Sequence, residues 1–297
     1  MRVLVTGAAG YLGRAVVAAL AAAGHDTVAM VRSEQSIIAH ADEIRVADLL
    51  DSDALRRAVD GVDAVCHLAG LTRVRESMAD PLRYFGVNTV GTIALLDAMS
   101  TAEVPRLVFA STGAIYGDVS GRSIAEELPD NPPHPYASSK LAAESVVEAH
   151  DAAAVVLRLF NLAGGCDPDP TRLIPRVVSA AARNEPLEVN GDGSSVRDYV
   201  HVSDAANAFV AALEHLPSPG TTERYVIGSG QGASVRQVVA AVEEVSGRRL
   251  ALIHRPAVPE PSSLVADPAK ATNQLGWVPT HSAIVAIVDQ MWHAYAG

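Results

Sequence analysis

Tyr136-Ala137-Ser138-Ser139-Lys140 holds the residue pair with the most specific chemistry in this sequence. Of 23 basic residues only two are lysines, Lys140 and Lys270. With seven tyrosines, chance would place a lysine four positions after a tyrosine about 0.05 times. A chain that elsewhere uses arginine keeps lysine here, where a compact ammonium with three donors differs from a planar guanidinium. On a helix the i, i+4 spacing puts both side chains on one face. An ammonium so placed favours the phenolate and brings a tyrosine down from about 10 toward neutral pH. Tyr136 would then serve as general acid and base for a sugar or alcohol hydroxyl. The plainer alternative is an exposed Tyr–Lys helix pair.

A second segment, Thr6-Gly7-Ala8-Ala9-Gly10-Tyr11-Leu12-Gly13, follows a strand pattern and opens a helix pattern. Glycines at 7, 10 and 13 let the backbone turn tightly and approach a pyrophosphate at the helix N-terminus, where free N–H groups favour anions. The spacing is GxxGxxG, where the common dinucleotide fingerprint is GxGxxG. A turn collects glycine for bland reasons too, but this one comes directly after the first strand of a βαβ series. It therefore reads as a dinucleotide site. The second strand ends at Met30-Val31-Arg32-Ser33, about 20 residues after the glycines, where an NAD site usually has a carboxylate for the ribose 2′-hydroxyl. Arg32 beside Ser33 suits a 2′-phosphate instead, so the cofactor is expected to be NAD or NADP, with NADP favoured. The alternative is a solvent-exposed arginine.

These residues need a frame. Candidate strands are Arg2–Thr6, Thr27–Val31, Ile44–Ala47, Ala64–Leu68, Leu107–Ala110 and Val155–Phe160, with helices at Gly13–Ala23, Ser52–Val59, Asn88–Ser100 and Tyr136–His150. Apolar strands separated by helices predict an α/β fold, a doubly wound parallel sheet of the Rossmann kind, covered on both faces. After Phe160 the texture changes. Gly164-Gly165, Pro168, Pro170 and Pro175 read as a boundary loop. We therefore expect a dinucleotide-binding domain over 1–163 and a smaller C-terminal α/β lobe, mainly substrate-binding, over 164–297, with room for some segments to return to the first domain.

The chain has 297 residues, enough to bury a sizeable core without disulfides or metals. With 49% hydrophobic and 19% charged residues, intrinsic disorder is excluded. A net charge of −11 argues against nucleic acid as a partner. Cys66 and Cys166 do not suggest a secreted disulfide framework. The longest apolar stretch, Ala15 to Ala23, is far shorter than the roughly 20 residues of a membrane span. No signal-peptide core precedes the glycine turn, so a soluble, cytoplasmic protein is expected. The ten histidines show no His-x-x-x-His or His-Glu-x-x-His pattern, so no metal site is expected. His67 reads as a packed strand-end residue, and the G-x-S-x-G hydrolase elbow is absent.

At this point the sequence resembles the extended short-chain dehydrogenase/reductases, specifically the NAD(P)-dependent nucleotide-sugar epimerase/dehydratase group. The resemblance covers nearly the whole chain. It rests on Thr6–Gly13, Asp48-Leu49, His67-Leu68-Ala69-Gly70, Asn88 with Gly91-Thr92, Ser111-Thr112 with Ile115-Tyr116-Gly117, and Tyr136–Lys140. Arg158-Leu159-Phe160-Asn161 and Val196–Asp204 follow in the family's order. It implies that Gly7, Gly10, Tyr11, Leu12 and Gly13 meet the dinucleotide, with Asp48 and Leu49 at the adenine. Leu68, Ala69, Gly70 and Asn88 would line its path, and Phe160 would stand beside the nicotinamide. Tyr136 would be the acid/base, Lys140 would also hold the nicotinamide ribose, and Thr112 would hydrogen-bond the reacting oxygen. Asn161, Arg197 and Arg255 match substrate positions that hold a nucleotide diphosphate. For Arg197 the alternative is a structural salt bridge to Asp198 or Asp204.

Two departures narrow the reaction. Dehydratases of this group have an Asp-Glu pair after the active-site threonine, whereas this chain has Gly113 and Ala114, which cannot move a proton. The usual Arg-Pro-Gly-Asp segment is Arg255-Pro256-Ala257-Val258 here, and Glu260 is the nearby acid that could replace the missing one. The leading reading is a nucleotide-sugar epimerase, most simply at C4, working through a transient keto-sugar. The alternative is an NADPH-dependent reductase of a nucleotide-linked keto-sugar or other ketone. A third reading, a dinucleotide sensor on the same fold, leaves the Thr112, Tyr136, Lys140 set unexplained. Relatives of this kind often pair through the helices at Asn88–Ser100 and Tyr136–His150, so a homodimer is expected.

Overall fold

β-Branched and leucine runs form strands where both faces are to be buried, and alanine-rich segments form the helices that bury them. The computed structural model describes residues 1–119, 121–258 and 260–296. The first half runs β1 (Arg2–Thr6), α1 (Tyr11–Ala22), β2 (Asp26–Val31), β3 (Glu43–Val46), α2 (Ser52–Val59), β4 (Ala64–His67), α3 (Val74–Ala79), α4 (Pro81–Phe85), α5 (Gly91–Thr101), β5 (Arg106–Thr112), α6 (Pro135–Glu148) and β6 (Ala153–Leu159). The second half continues with β7 (Asn161–Ala163), α7 (Leu173–Arg183), β8 (Leu187–Asn190), β9 (Val196–His201), α8 (Val202–Glu214), β10 (Thr222–Ile227), β11 (Gly232–Ser234), α9 (Val235–Ser246), β12 (Leu252–Arg255), β13 (Ser263–Leu264), α10 (Ala269–Leu275) and α11 (Ile284–Ala296).

Seven strands form one sheet in the order β10-β6-β5-β4-β1-β2-β3, every neighbouring pair parallel. One face packs against α1, α8 and α10 through Val16, Leu20, Phe209 and Leu275. The other packs against α2, α5 and α6 through Leu55, Leu95, Met99 and Val147. This is the doubly wound sheet expected from the sequence, and each expected strand lies within two residues at its start of an observed one. The seventh strand, β10, comes from well beyond residue 163. It pairs with β6, and α8 covers α1 before it. The later segments therefore divide between two places. α7, α9 and α11 enclose a separate core of Val177, Val178, Val238, Val242, Ile287 and Val288, beside a small sheet of β7, β9, β11 and β13 and the β8–β12 pair.

The helix expected over Asn88–Ser100 is preceded by a π-helical turn at Gly86–Val90 and continues as α5. α6 opens on Pro135, with His134 Nδ1 accepting the Ala137 N–H at 3.2 Å as its cap. A proline suits the first helical turn because its missing N–H has no helical partner there. No helix among the described residues is long and apolar enough to cross a membrane.

Candidate active site

The carboxyl ends of β1, β4, β5 and β6 open into one cavity of about 760 Å³, the crevice where open α/β sheets place ligands. The glycine turn forms its first wall. Gly7 has φ +69°, and a Cβ there would lie 2.8 Å from Ala69 N. At Gly13 a Cβ would meet the Gly7 carbonyl oxygen at 2.2 Å. The turn and the helix behind it can close only without these side chains. Gly10 caps α1 with no side chain to occupy its first N–H groups, and Gly7, Gly10, Tyr11, Leu12 and Gly13 all line the cavity. A backbone cradle at a helix N-terminus fits a pyrophosphate.

Arg32, Asp48 and Leu49 line the end beyond the turn. Asp48 Oδ1 accepts Leu50 N–H at 2.9 Å, so the carboxylate is anchored with its second oxygen left over. Arg32 is exposed and Ser33 stands off the cavity, its Oγ accepting Gln35 N–H at 3.3 Å. Leu68, Ala69 and Gly70 form the opposite wall. Thr6 Oγ1 holds the N–H groups of Leu68 and Ala69, each at 3.1 Å. Asn88 is buried behind this wall and does not line the cavity. Its Oδ1 accepts Leu71 N–H at 2.7 Å and its Nδ2 donates to Leu71 O and Ser139 Oγ, both at 3.0 Å.

Thr112, Tyr136, Lys140 and Phe160 meet on the cavity floor. Thr112 Oγ1 accepts Ala114 N–H at 3.2 Å, which leaves its own proton to donate. Gly113 keeps the floor open, since a Cβ there would lie 2.4 Å from the Phe160 ring. Tyr136 stacks on His134 at 5.9 Å and meets Tyr84 edge-on at 6.4 Å. Lys140 is buried with Nζ 4.2 Å over the Phe109 ring. Burial brings its ammonium down to about 7, against the pull of Glu144. Tyr136 differs from expectation: burial raises its phenol, and the groups that pull it back are Thr112 and Arg172. Lys140 Nζ lies over the Phe109 ring, and burial weakens its charge.

The remaining substrate candidates separate. Asn161 lines the cavity and its Nδ2 donates to Asp198 O at 3.0 Å. Arg197 lies off the cavity, donating to Glu260 at 2.8 Å and to the carbonyls of Val196 and Pro261. Its ion partner is thus neither Asp198 nor Asp204. Asp198 is taken up by Ser229, Gly230 and Ala266, and Asp204 by Ser282 and His281. Glu260 serves Arg197 and Ser195 rather than the active-site floor. Arg255 also stands outside the cavity, on β12, paired with Glu188 on β8. The sequence reading missed Arg172 and Asp167. Arg172 lines the cavity, holds Asp167 at 3.2 Å and lies 5.3 Å over the Tyr11 ring. Its signal was faint: charged residues inside a proline-punctuated loop. Among the described residues no cluster of His, Cys, Asp and Glu could hold a metal ion.

Known proteins resemble this chain in one family profile, one curated sequence and two solved structures. The sequence profile of the NAD dependent epimerase/dehydratase family matches residues 3–228. The chain is 38% identical over 312 residues to the UDP-glucose 4-epimerase of Azospirillum brasilense, covering 97% of this chain and 90% of that one. In structure it resembles the UDP-glucose-4-epimerase from Stenotrophomonas maltophila with bound NAD and formylated UDP-arabinopyranose, at TM-score 0.91 and 31% identity over 100% of both chains. It also resembles MoeE5 in complex with UDP-glucuronic acid and NAD, at TM-score 0.90 and 29% identity, again over 100% of both.

Proposed function

This chain belongs to the NAD dependent epimerase/dehydratase family, and we propose that it is a nucleotide-sugar epimerase that inverts C4 of a UDP-hexose. The single observation carrying this reading is the convergence of Thr112, Tyr136 and Lys140 on the floor of a cavity that continues to the glycine turn. Several relatives are UDP-glucose 4-epimerases, which favours epimerisation over one-way ketone reduction. Gly113 and Ala114 offer no acid or base for eliminating water.

We take NAD as the resident dinucleotide. The NADP preference suggested by Arg32 and Ser33 has no support among the relatives, whose structures hold NAD. The pyrophosphate would lie on the Gly7–Gly13 cradle, the adenosine near Asp48, Leu49 and Arg32, and the nicotinamide end near Lys140 and Phe160. When bound, the nicotinamide supplies a reversible hydride acceptor. The protein's own part is the proton. Thr112 donates a hydrogen bond to the C4 oxygen, and Tyr136 removes the hydroxyl proton and later returns it. Thr112, Arg172 and the Lys140 ammonium are the groups able to stabilise the phenolate. Asn161, with Leu173, Ile174 and Tyr199 around it, would hold the nucleotide while the keto-sugar turns over. Arg197 and Arg255 would have to leave their carboxylates to join it. We also propose a homodimer through α5 and α6, and a cytoplasmic location.

Tyr136→Phe tests the reading. It should cut kcat on UDP-galactose by about 100-fold or more while the dinucleotide released on denaturation stays at the wild-type level. Equal turnover in the two proteins would remove Tyr136 from the chemistry.

A further inference from the structure

Beneath the cavity floor, α6 carries an ionisable residue that the reaction described above does not use. Glu144 follows Lys140 by four residues and Tyr136 by eight, so the three lie along one face of the helix. Glu144 is fully buried. Its two oxygens are fully engaged: Ser111 Oγ donates to Oε1, Arg158 Nε donates to Oε1 at 3.0 Å, and Arg158 Nη2 donates to Oε2 at 2.6 Å. Arg224 Nε stands 3.4 Å from Oε2. Arg158 is equally buried, gives its Nη1 to Asp130 at 2.6 Å and lies 4.7 Å over the Tyr116 ring.

The partners of Glu144 are neighbours of the reacting groups. Ser111 precedes Thr112 on β5, and Arg158 lies two residues before Phe160 at the end of β6. The two strands are in register there, Ser111 beside Arg158 and Thr112 beside Leu159. The carboxylate thus fastens α6 to both strands that supply the floor. Small apolar contacts such as Ala143 leave a helix more latitude than a fully satisfied buried network does. The charges around Lys140 point the same way. Tyr136 and Glu144 face it from its own helix, His67 from β4 and the Phe109 ring from β5. His67 is held neutral, far below its usual range. Glu144 is the group that works to keep the ammonium charged against burial.

We propose that Glu144 is a positioning residue of this enzyme: its carboxylate sets Tyr136 and Lys140 against Thr112 and supplies the negative charge that holds the Lys140 ammonium in the buried site. This rests on the assignment of Tyr136 and Lys140 to the proton transfer. The chain's two lysines make a direct test practical. In dinucleotide-loaded protein labelled with ¹³C-lysine, Lys270→Arg leaves the Lys140 side-chain signal alone, and its titration is followed by NMR. Glu144→Gln combined with Arg158→Met removes both buried charges and so avoids an unpaired guanidinium. Glu144, one helical turn from Lys140, is the charge that acts on it, so the Lys140 midpoint should fall although Arg158 leaves with it. The alkaline limb of kcat should move to lower pH with it, because the ammonium is lost earlier. At neutral pH kcat should drop by about tenfold or more, with KM and bound dinucleotide nearly unchanged. An unmoved midpoint, or a moved one with kcat intact, overturns the proposal. Ser111→Ala is the milder variant, to be read where the double variant fails to fold. It should lower kcat about fivefold with the Lys140 midpoint unmoved, and wild-type kcat in it overturns the proposal. Wild-type protein inert on UDP-hexoses would overturn the epimerase reading instead. The lysine titration, which needs no substrate, would still decide whether Glu144 holds the charge.

Discussion

His67 illustrates how a chain of hydroxyls fixes a protonation state. Thr6 Oγ1 accepts two backbone N–H groups, so its proton goes to His67 Nδ1 at 2.8 Å. Thr92 gives its proton to Asn88 O at 2.6 Å, so its oxygen accepts from His67 Nε2 at 3.0 Å. The ring is therefore neutral with its proton on Nε2, an assignment that follows from the network. Burial, then the nearby Lys140, take it from 6.5 down to about 3. Between these values the unfolded chain binds a proton that the folded one refuses, so stability falls as pH drops from 6.5 toward 3. Between pH 6.5 and 4.5, urea unfolding should show the wild type losing about 2–3 kcal/mol more than His67→Gln. Parallel losses would exclude His67 as the source. The sequence reading placed His67 as a packed strand-end residue, which it is. Its hydroxyl partners, one 61 residues before it and one 25 after, were beyond the reach of local pattern.

At the scale of elements, the glycine turn and α1 behave as one unit. Gly13 belongs to the helix but its missing side chain is what lets the helix sit on the turn, 2.2 Å being no distance for a carbon beside the Gly7 oxygen. Gly13→Ala should destabilise the protein by about 1–3 kcal/mol and leave it largely without dinucleotide after purification. Gly24→Ala makes the useful contrast. It meets nothing within 4 Å and carries only the cost of φ +81°, so its dinucleotide content should match the wild type. Equal dinucleotide content in Gly13→Ala and the wild type would show that the turn tolerates displacement. Spacing in the sequence was enough to find this turn, because its closure depends on backbone approach over eight consecutive residues. The tyrosine and lysine of α6 were equally legible as an i, i+4 pair. Their electrostatics were not, since burial and the direction of the ammonium toward Phe109 depend on neighbours from β4 and β5.

At the scale of the whole molecule, the late return of β10 and α8 to the main sheet ties the two parts of the chain together. β6 would otherwise present an open edge, and α1 would lack its cover. Where the π-helical turn meets α5 two apolar side chains stand out, Val90 53% and Ile93 45% exposed, with Asp97 exposed one turn further along α5. A homodimer through this face should show twice the chain mass by light scattering, and Ile93→Arg should reduce it to the single-chain mass with the fold retained. A wild type of single-chain mass at micromolar concentration would sink the dimer.

The amino-acid sequence by itself determined the strand–helix alternation, the glycine turn and the Tyr136–Lys140 pair, because each depends on residues near one another along the chain. It also determined that Gly113 and Ala114 supply no acid or base. The tertiary structure alone decided that Asn88 supports the wall from behind and that Arg197 and Arg255 are held by carboxylates off the cavity. It also decided that Arg172 reaches the site from a loop and that Glu144 meets Ser111 and Arg158. Each of these is a contact between segments more than a dozen residues apart. Side-chain charge and burial there are set by what the fold brings close, which residue type and local spacing do not encode.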